Sequence, residues 1–311
     1  MPVVTSPADP IVTGAGIVKR YGNRAALDGA SFTINHGVTG LLGANGAGKT
    51  TLFGMLLGLH HPDEGQLSVL GMDPRRSGPQ VRTVVGYSPE HHSLPPDIRA
   101  HDLVRHVAEV HGLPSRDATA RASDALWQVG LGEERFRPFG TMSTGQKQRV
   151  KLAQAIAHDP KLVLLDEPTD GLDPVQRDDM LALIRRISAE FGLDVILSSH
   201  LLEEIERICD AAVIVAEGRV VRSGRLDELV GRDGGVSIDL DRDPTNLAAW
   251  LRERGVNVDV VGLGLQLTRP SGSPIALHDL ARDGAVACEV GIRRMVDSTI
   301  RLEDIFLEVS A

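Results

Sequence analysis

The sequence is poor in cysteine and lacks long apolar runs. Two cysteines occur in 311 residues, Cys209 and Cys288. With no secretory signal, so few cysteines favour free thiols in a reducing cytoplasm over a disulfide framework. The first ten residues, MPVVTSPADP, have neither a basic n-region nor an apolar h-region, so we expect no signal peptide there. No apolar run reaches the roughly 18 residues that a membrane-spanning helix needs.

Positive charge is also scarce. Lysine and arginine total 33 against 42 acidic residues, and the formal net charge of −9 argues against a broad nucleic-acid surface. Only five of the basic residues are lysines, at positions 19, 49, 147, 151 and 161. Lys49 is therefore a rare residue type, and its neighbours show what it could do. The length allows about two domains.

Lys49 lies in a glycine-rich stretch, Gly43-Ala44-Asn45-Gly46-Ala47-Gly48-Lys49-Thr50, that satisfies the GxxxxGK[ST] pattern. The preceding VTGLL predicts a buried strand, and the following TLFGMLLGL predicts an apolar helix. In such a loop the backbone N–H groups surround a phosphate, Lys49 reaches the β- and γ-phosphates, and the Thr50 hydroxyl binds Mg²⁺. A solvated glycine-rich turn is the alternative, but the strand–loop–helix context favours nucleotide binding.

A second apolar segment, KLVLLDEP, predicts a central parallel strand, because four apolar residues precede two acids. Ligands bind at the carboxyl ends of such strands, where Asp166 and Glu167 fall. Asp166 is the candidate metal ligand, through water, and Glu167 the candidate general base. An ordinary strand end followed by a polar turn is the alternative.

The stretch MSTGQKQR, from Met142, predicts the start of a helix. Ser143, followed three residues later by Gln146, forms a capping box. Gly145 weakens a helix, yet it stands where free N–H groups at a helix N-terminus bind anions. The stretch alone leaves both a plain cap and a phosphate site open.

Taken in order, these motifs resemble those of the ATP-binding subunit of an ABC transporter, over roughly residues 11–230. MSTGQ matches the family signature, usually LSGGQ. The segments KLAQAIAHDPKLVLLDEPTDGLDP, LSSHLLEEIERICD and RLEDIFLEVSA resemble type-2 exporters, the branch that includes daunorubicin-resistance ATPases. The fold implied is α/β, a P-loop NTPase core of ABC type with a helical insert and a small C-terminal α/β appendix.

The resemblance assigns a role to each matching residue. Tyr21 stacks on adenine, Asp173 in DGLD lies in the loop that crosses to the other subunit, and His200 contacts the γ-phosphate beside the catalytic Glu167. The metal residues are Thr50 and Asp166, the latter through water. The remaining ATP-binding residues are Gly43, Asn45, Gly46, Ala47, Gly48, Lys49, Thr50, Thr51 and Glu90. The signature residues, which bind ATP held by a second copy, are Ser143, Thr144, Gly145 and Gln146.

Two positions depart from the family pattern. Glu90 stands where the family usually has glutamine, which adds negative charge near ATP and puts the direct contribution of that residue to hydrolysis in doubt. Thr144 replaces the first glycine of the signature, and we expect this small residue to be tolerated.

The resemblance implies an ATPase subunit that uses ATP and Mg²⁺ to drive export through a separate membrane-spanning permease. The implied partners are this permease and a second ATP-binding subunit, as a homodimer or a heterodimer, with no nucleic acid. The implied location is cytoplasmic, peripheral on the inner face of the membrane.

Three segments are expected along the chain. Residues 11–230 form the ATP-binding domain, with a helical insert over about 89–158. GRDGG at 231–235 is the expected linker. Residues 236–311 form a small α/β accessory domain, in which VSIDL, VNVDVVG and LQLT predict strands, and LAAWLRERG and PIALHDLARDG predict helices. LEDIFLEV predicts an amphipathic helix for core packing, with a dimer or permease contact as the alternative.

Two other functions are compatible with a phosphate loop of this kind. A non-transport ABC protein of translation or repair would carry two ATP domains, long coiled coils or zinc cysteines, which this sequence lacks. A regulatory subunit that binds nucleotide without hydrolysing it is opposed by Lys49, Asp166, Glu167 and His200; Glu90 is the one feature in its favour.

Overall fold

The computed structural model describes residues 9–90, 95–229, 235–268 and 276–298. The chain divides into two compact units, residues 1–226 and 227–311. Residues 231–234 of the predicted linker at 231–235, and the predicted helix LEDIFLEV, lie outside the described residues, whereas Gly235 begins a strand. The proposed domain limits at 230 and 236 remain predictions.

Two sheets form the first unit. Its strands are β1 (Val12–Tyr21), β2 (Arg24–Ile34), β3 (Val38–Leu42), β4 (Glu64–Val69), β5 (Val85–Ser88), β6 (Leu162–Asp166), β7 (Asp194–Ser199), β8 (Ala211–Ala216) and β9 (Arg219–Arg225). The larger sheet has the order β5-β6-β7-β3-β8-β9, in which only β9 is antiparallel to its neighbour. The smaller, antiparallel sheet has the order β2-β1-β4.

Helices follow most of these strands. They are α1 (Lys49–Leu56), α2 (Pro74–Val84), α3 (Ala100–Val110), α4 (Ser115–Gln128), α5 (Thr144–Ile156), α6 (Pro174–Phe191), α7 (Leu202–Ile208) and α8 (Leu226–Leu229). An α/β core predicts alternating strands and helices, and this alternation is confirmed from β3 to β8. It is wrong for β1 and β2 and for β8 and β9, because the two strands of each pair follow one another directly and pair as antiparallel strands.

The predicted phosphate-loop strand and acid-bearing strand are confirmed as β3 and β6. Every residue of both strands is buried, as expected for parallel strands covered on both faces. Because β7 lies between them, β3 and β6 are not neighbours in the sheet. Their carboxyl ends still lie at the same edge, which is where the phosphate loop and the acids begin. A core that includes Phe53 and Leu164 joins β1 and β2 to this sheet.

The segment predicted as a helical insert, about 89–158, contains α3, α4 and α5, which all lie between β5 and β6. Apolar spacing predicted the first two, and their buried residues recur on one face, for example Leu103 and Val104 in α3 and Ala118 and Ala122 in α4. The helical insert of the expected fold is confirmed.

From residue 235 onward, the described part of the second unit has four antiparallel strands and two helices, in the order β10 (Gly235–Leu240), α9 (Thr245–Arg252), β11 (Asn257–Val261), β12 (Gly264–Thr268), α10 (Leu277–Ala287) and β13 (Ile292–Ser298). Three strands and both helices were predicted, but β13 was not. The sheet order β11-β12-β10-β13 with this βαββαβ succession is the ferredoxin-like arrangement. Ile238, Leu251, Leu265 and Ala281 belong to its separate core.

Candidate functional site

The glycine-rich loop connects β3 to α1, as its spacing predicted. Gly48 has φ +112°, and a Cβ there would lie 2.5 Å from the Ala26 carbonyl oxygen. Only glycine avoids this clash and accepts this conformation. Close packing against β2 therefore fixes the loop just before the first turn of α1, where free N–H groups attract anions.

A pocket of about 450 Å³ opens beside this loop. It is lined by Tyr21, Arg24, Ala26, Ala44, Asn45, Gly46, Gly48, Lys49, Thr50, Thr51, Glu90, Asp166 and Glu167. Two residues assigned to ATP binding are absent from this lining. Gly43 provides the carbonyl that accepts a 2.6 Å hydrogen bond from Lys49 Nζ, and Ala47 is buried.

Lys49, Glu167 and His200 form a line of charged and polar side chains. Lys49 Nζ lies 3.1 Å from Glu167 Oε1, and the other carboxylate oxygen, Oε2, lies 2.9 Å from His200 Nδ1. Lys49 and Glu167 are buried, whereas the His200 side chain is 45% exposed. Glu167 therefore contacts both the cation of the phosphate loop and a histidine that faces solvent.

A side-chain hydrogen bond from the neighbouring strand, β7, holds the Asp166 carboxylate in place. Its Oδ1 accepts a 2.6 Å hydrogen bond from Ser198 Oγ, which also accepts from the Glu167 N–H at 2.9 Å. Asp166 Oδ2 is buried and has no hydrogen-bond partner among the described residues. Such an oxygen is costly unless it acquires a ligand. Burial, with the Asp166 carboxylate acting in the same direction, raises the pKa of Tyr87 to about 12.

The backbone at Glu167 is held in the left-handed region, with φ +45°. For a side chain other than glycine this conformation costs about 1–2 kcal/mol. Strain of this kind concentrates at functional sites because the surrounding structure must hold it in place. The hydrogen bond from the Glu167 N–H to Ser198 is one such restraint.

The predicted helix start at Ser143 is confirmed. Gln146 N–H donates to Ser143 Oγ at 3.2 Å, and Ser143 N–H donates to Gln146 Oε1 at 3.1 Å, which completes the capping box of α5. The four described signature residues are not part of the pocket lining, and Ser143 and Thr144 are exposed. A Cβ at Gly145 would lie 3.2 Å from Gln176 Oε1, the end of a flexible side chain.

Asp173 also caps a helix. Its Oδ1 accepts a 2.9 Å hydrogen bond from the Gln176 N–H at the start of α6. Asp173 and His200 do not line the pocket. The structure thus brings Tyr21, Lys49, Glu90, Asp166 and Glu167 together at one cavity and leaves the signature residues outside it.

Sequence reasoning missed a buried carboxylate near these groups. Glu204 in α7 is 2% exposed, and it accepts hydrogen bonds from Thr169 Oγ1 at 2.7 Å and Ser199 Oγ at 2.6 Å. Arg177 Nε lies 3.3 Å from Glu204 Oε1. Thr169 follows Glu167 by two residues, and Ser199 precedes His200. The sequence contained a weak signal, because Glu204 stands on the same helix face as the buried Ile208.

Arg24 was missed as well. It is the residue of β2 paired with Tyr21 of β1, it lines the pocket, and its Nη2 lies 3.5 Å from the Gly46 carbonyl oxygen. The register places both side chains on one face of the antiparallel pair.

The loop, the lysine and the two acids at the carboxyl edge of a parallel sheet define a P-loop nucleotide-binding protein. Comparison with known proteins gives the family. The ABC transporter family profile matches residues 27–170. The chain is 36% identical to the daunorubicin resistance ATP-binding protein of Streptomyces coeruleorubidus, over 75% of this chain and 74% of that protein. It is 32% identical to the Nod factor export ATP-binding protein I of Burkholderia lata, over 94% and 95% of the two chains.

A solved structure agrees with this result. The cbiO1 protein of Clostridium perfringens, described as part of the ABC transporter complex cbiONQ, aligns with a TM-score of 0.65 and 29% identity, over 71% of this chain and 90% of that one. The chain belongs to the ABC transporter family. It is an ATP-binding, ATP-hydrolysing subunit related to exporter ATPases, and the predicted type-2 exporter relationship is confirmed. Across the described part of the chain, no helix is long and apolar enough to cross a bilayer.

Proposed function

We propose that the chain hydrolyses MgATP at the interface of a dimer and drives export through a separate membrane-spanning permease. The observation that supports this proposal is the separation of two half-sites. Lys49, Asp166 and Glu167 converge on one pocket, whereas the capped start of α5 at Ser143 lies outside that pocket and is exposed. A second copy would bring the two halves together.

The pocket has the groups that a magnesium nucleotide requires. Tyr21 is 48% exposed at the pocket edge and can stack on a base. The loop N–H groups and Lys49 suit the phosphates. The unpaired Asp166 Oδ2 and the Thr50 hydroxyl are oxygen donors of the kind that Mg²⁺ takes together with nucleotide phosphates. When bound, the ion would offset charge on the transferred phosphoryl group.

Glu167 is the proposed general base. Lys49 is its neighbour at 3.1 Å, and a nucleotide phosphate would compete with the Glu167 carboxylate for that ammonium group. Glu167 would then be able to accept a proton from an attacking water. His200, 2.9 Å from the second carboxylate oxygen, keeps Glu167 oriented and can donate to the γ-phosphate from its exposed edge.

The family relationship supports the partners and the location. The related proteins are named for resistance to daunorubicin and for export of Nod factor, and both names include ATP-binding protein. We infer that this chain likewise supplies ATP hydrolysis to a permease encoded as another polypeptide. It would then act at the cytoplasmic face of the membrane, as a homodimer or with a second ATP-binding subunit.

The test uses Glu167→Gln, which keeps the side-chain shape and loses the charge. ATP should still bind, and turnover should fall by roughly two to four orders of magnitude, the usual contribution of a general base. Sedimentation should show a dimer with ATP and a monomer without it. Glu203→Gln, an exposed glutamate on α7, is the matched control and should retain wild-type turnover. Near-normal turnover of Glu167→Gln, or a monomer at confirmed ATP saturation, would contradict the proposal.

A further inference from the structure

Lys151 is a buried lysine that the proposed mechanism does not use. It lies in α5, is 5% exposed, and its Nζ donates a 2.9 Å hydrogen bond to the main-chain carbonyl oxygen of Glu90. Burying an ammonium group is expensive unless nearby groups compensate for the lost water. The position of this lysine therefore needs an explanation beyond the packing of α5.

The charges around Lys151 are acidic. Burial lowers the pKa of Lys151, whereas Asp166, Asp170 and Glu90 act in the opposite direction and favour its charged form. Asp166 and Glu90 also line the nucleotide pocket. The ammonium group of Lys151 is thus hydrogen-bonded to the backbone of a residue that lines the pocket, although Lys151 does not line it.

Glu90 is where this chain carries a carboxylate in place of the glutamine usual in the resembling family. A pocket for a triphosphate is a poor place for an additional negative charge, because like charges repel strongly in partly desolvated surroundings. A cation nearby would reduce that repulsion. Lys151 is such a cation, since its Nζ donates to the main-chain carbonyl oxygen of Glu90, and it is not part of the pocket lining.

We propose that Lys151 is a positioning residue that holds the Glu90 segment against α5 and offsets the charge of the Glu90 carboxylate. This rests on the proposed function, because it assumes that the pocket binds ATP. The acid at position 90 and the lysine at position 151 then form a matched pair. Removing either side chain therefore changes the electrostatic environment of the other.

Helix α5 would then contribute to both nucleotide sites of a dimer. Ser143 and Lys151 are eight residues apart, so the rise of the helix places them about 12 Å apart along α5. One rigid element would contact the partner's ATP through Ser143 and support this chain's own pocket through Lys151.

The experiment measures Lys151→Met in two backgrounds, wild type and Glu90→Gln. In the wild-type background we expect about a tenfold loss of kcat/KM and weaker ATP binding in EDTA, a coupling of the size found within one hydrogen-bond network. In the Glu90→Gln background the same substitution should cost less than about threefold. Lys151→Arg, which keeps the charge, should remain close to wild type. Lys161→Met, at an exposed lysine before β6, is the matched control.

An equal loss in both backgrounds would show that Lys151 only anchors the main-chain carbonyl, and no loss in either would remove it from the site altogether. Thermal unfolding distinguishes a folding defect from a loss of activity in a folded variant. If Lys151→Met is unfolded, Lys151→Arg provides the second test. Wild-type turnover and ATP-driven dimerisation test the proposed function independently. If both are present and the two backgrounds lose activity equally, only the inferred pairing of Lys151 with the charge of Glu90 is wrong.

Discussion

At the scale of single residues, Ser143 caps the N-terminus of α5 and is also predicted to bind the ATP held by a second copy. It accepts from the Gln146 N–H at 3.2 Å, so Ser143→Ala should lower the free energy of unfolding by about 1 kcal/mol. If Ser143 also binds the partner's ATP, ATP-driven dimerisation and turnover should fall further, while ATP binding to the monomer persists. Urea denaturation, sedimentation and nucleotide titration measure the three quantities.

The control for Ser143→Ala is Asp73→Ala, which removes the cap of α2. It should cost a similar free energy without weakening the dimer. If the two variants dimerise equally well with ATP, Ser143 is a helix cap only.

The buried side chain of His158 predicts how the free energy of unfolding depends on pH. It is 7% exposed and stacks on His111, with ring centroids 3.9 Å apart. Burial, followed by repulsion from His111, lowers the pKa of His158 to about 4; Arg121 acts in the same direction, while a backbone hydrogen bond with Val85 and the charge of Asp159 oppose it.

Because the unfolded chain takes up a proton near pH 6.5 and the folded chain does not, stability should be complete above pH 6.5. It should fall as the pH drops toward 4, by at most about 3 kcal/mol. Urea denaturation at pH 7.5 and 5.0 tests this. His158→Gln should lose less stability between these pH values than wild type, whereas His61→Gln, at an exposed histidine, should follow wild type. Identical slopes for all three proteins would rule out His158 as the source.

At the scale of elements, Glu204 of α7 connects the segments that follow β6 and β7. Glu204→Gln keeps the volume but replaces one acceptor oxygen with a donor, so one of the Thr169 and Ser199 hydroxyls loses its partner. The free energy of unfolding should fall by about 1–3 kcal/mol. Turnover should fall as well, since Glu167 and His200 lie within two residues of those hydroxyls.

Chemical denaturation and steady-state ATPase assays measure these two effects of Glu204→Gln at a temperature where the variant is folded. Glu206→Gln, at an exposed position of the same helix, is the control. A loss of stability with unchanged kcat would limit Glu204 to a structural role.

At the scale of the whole molecule, the split site predicts complementation between two inactive variants. Ser143→Arg blocks the signature half, and Lys49→Ala disables the phosphate-loop half. In a mixed dimer one site carries both defects and the other carries none. Equal mixing should restore at most about a quarter of wild-type turnover if the sites act independently.

The ATPase rate of the mixture, compared with each variant alone, gives the result. Absence of recovery, with mixed dimers shown to form, has two explanations: both sites must act, or Ser143 acts within its own chain. Pairing wild type with a chain that carries both substitutions separates them. Every mixed dimer then has two half-damaged sites under the split-site proposal, but one intact site if Ser143 acts in its own chain.

The sequence by itself determined the local parts of this protein. The spacing from Gly43 to Thr50, the apolar run before Asp166 and the Ser143–Gln146 cap each depend on neighbours within a few residues, and β3, β6 and the start of α5 follow them. Three of the four strands described in the second unit were predicted for the same reason. β13 was missed because its run, IRRMVDS, does not alternate clearly, and its pairing with β10 depends on a distant strand.

Only the tertiary structure decided which distant groups meet. The antiparallel pairing of β1 with β4, the hydrogen bond of the Glu204 carboxylate to Thr169, and the approach of Lys151 to Glu90 join positions that are 35 or more residues apart along the chain. No local pattern specifies such contacts, because a buried charge or hydroxyl is stabilised by whatever partner the fold delivers. The groups of the phosphate loop are specified by consecutive residues. The restraints that hold Asp166 and Glu167 beside that loop come from the packing of separate strands and helices.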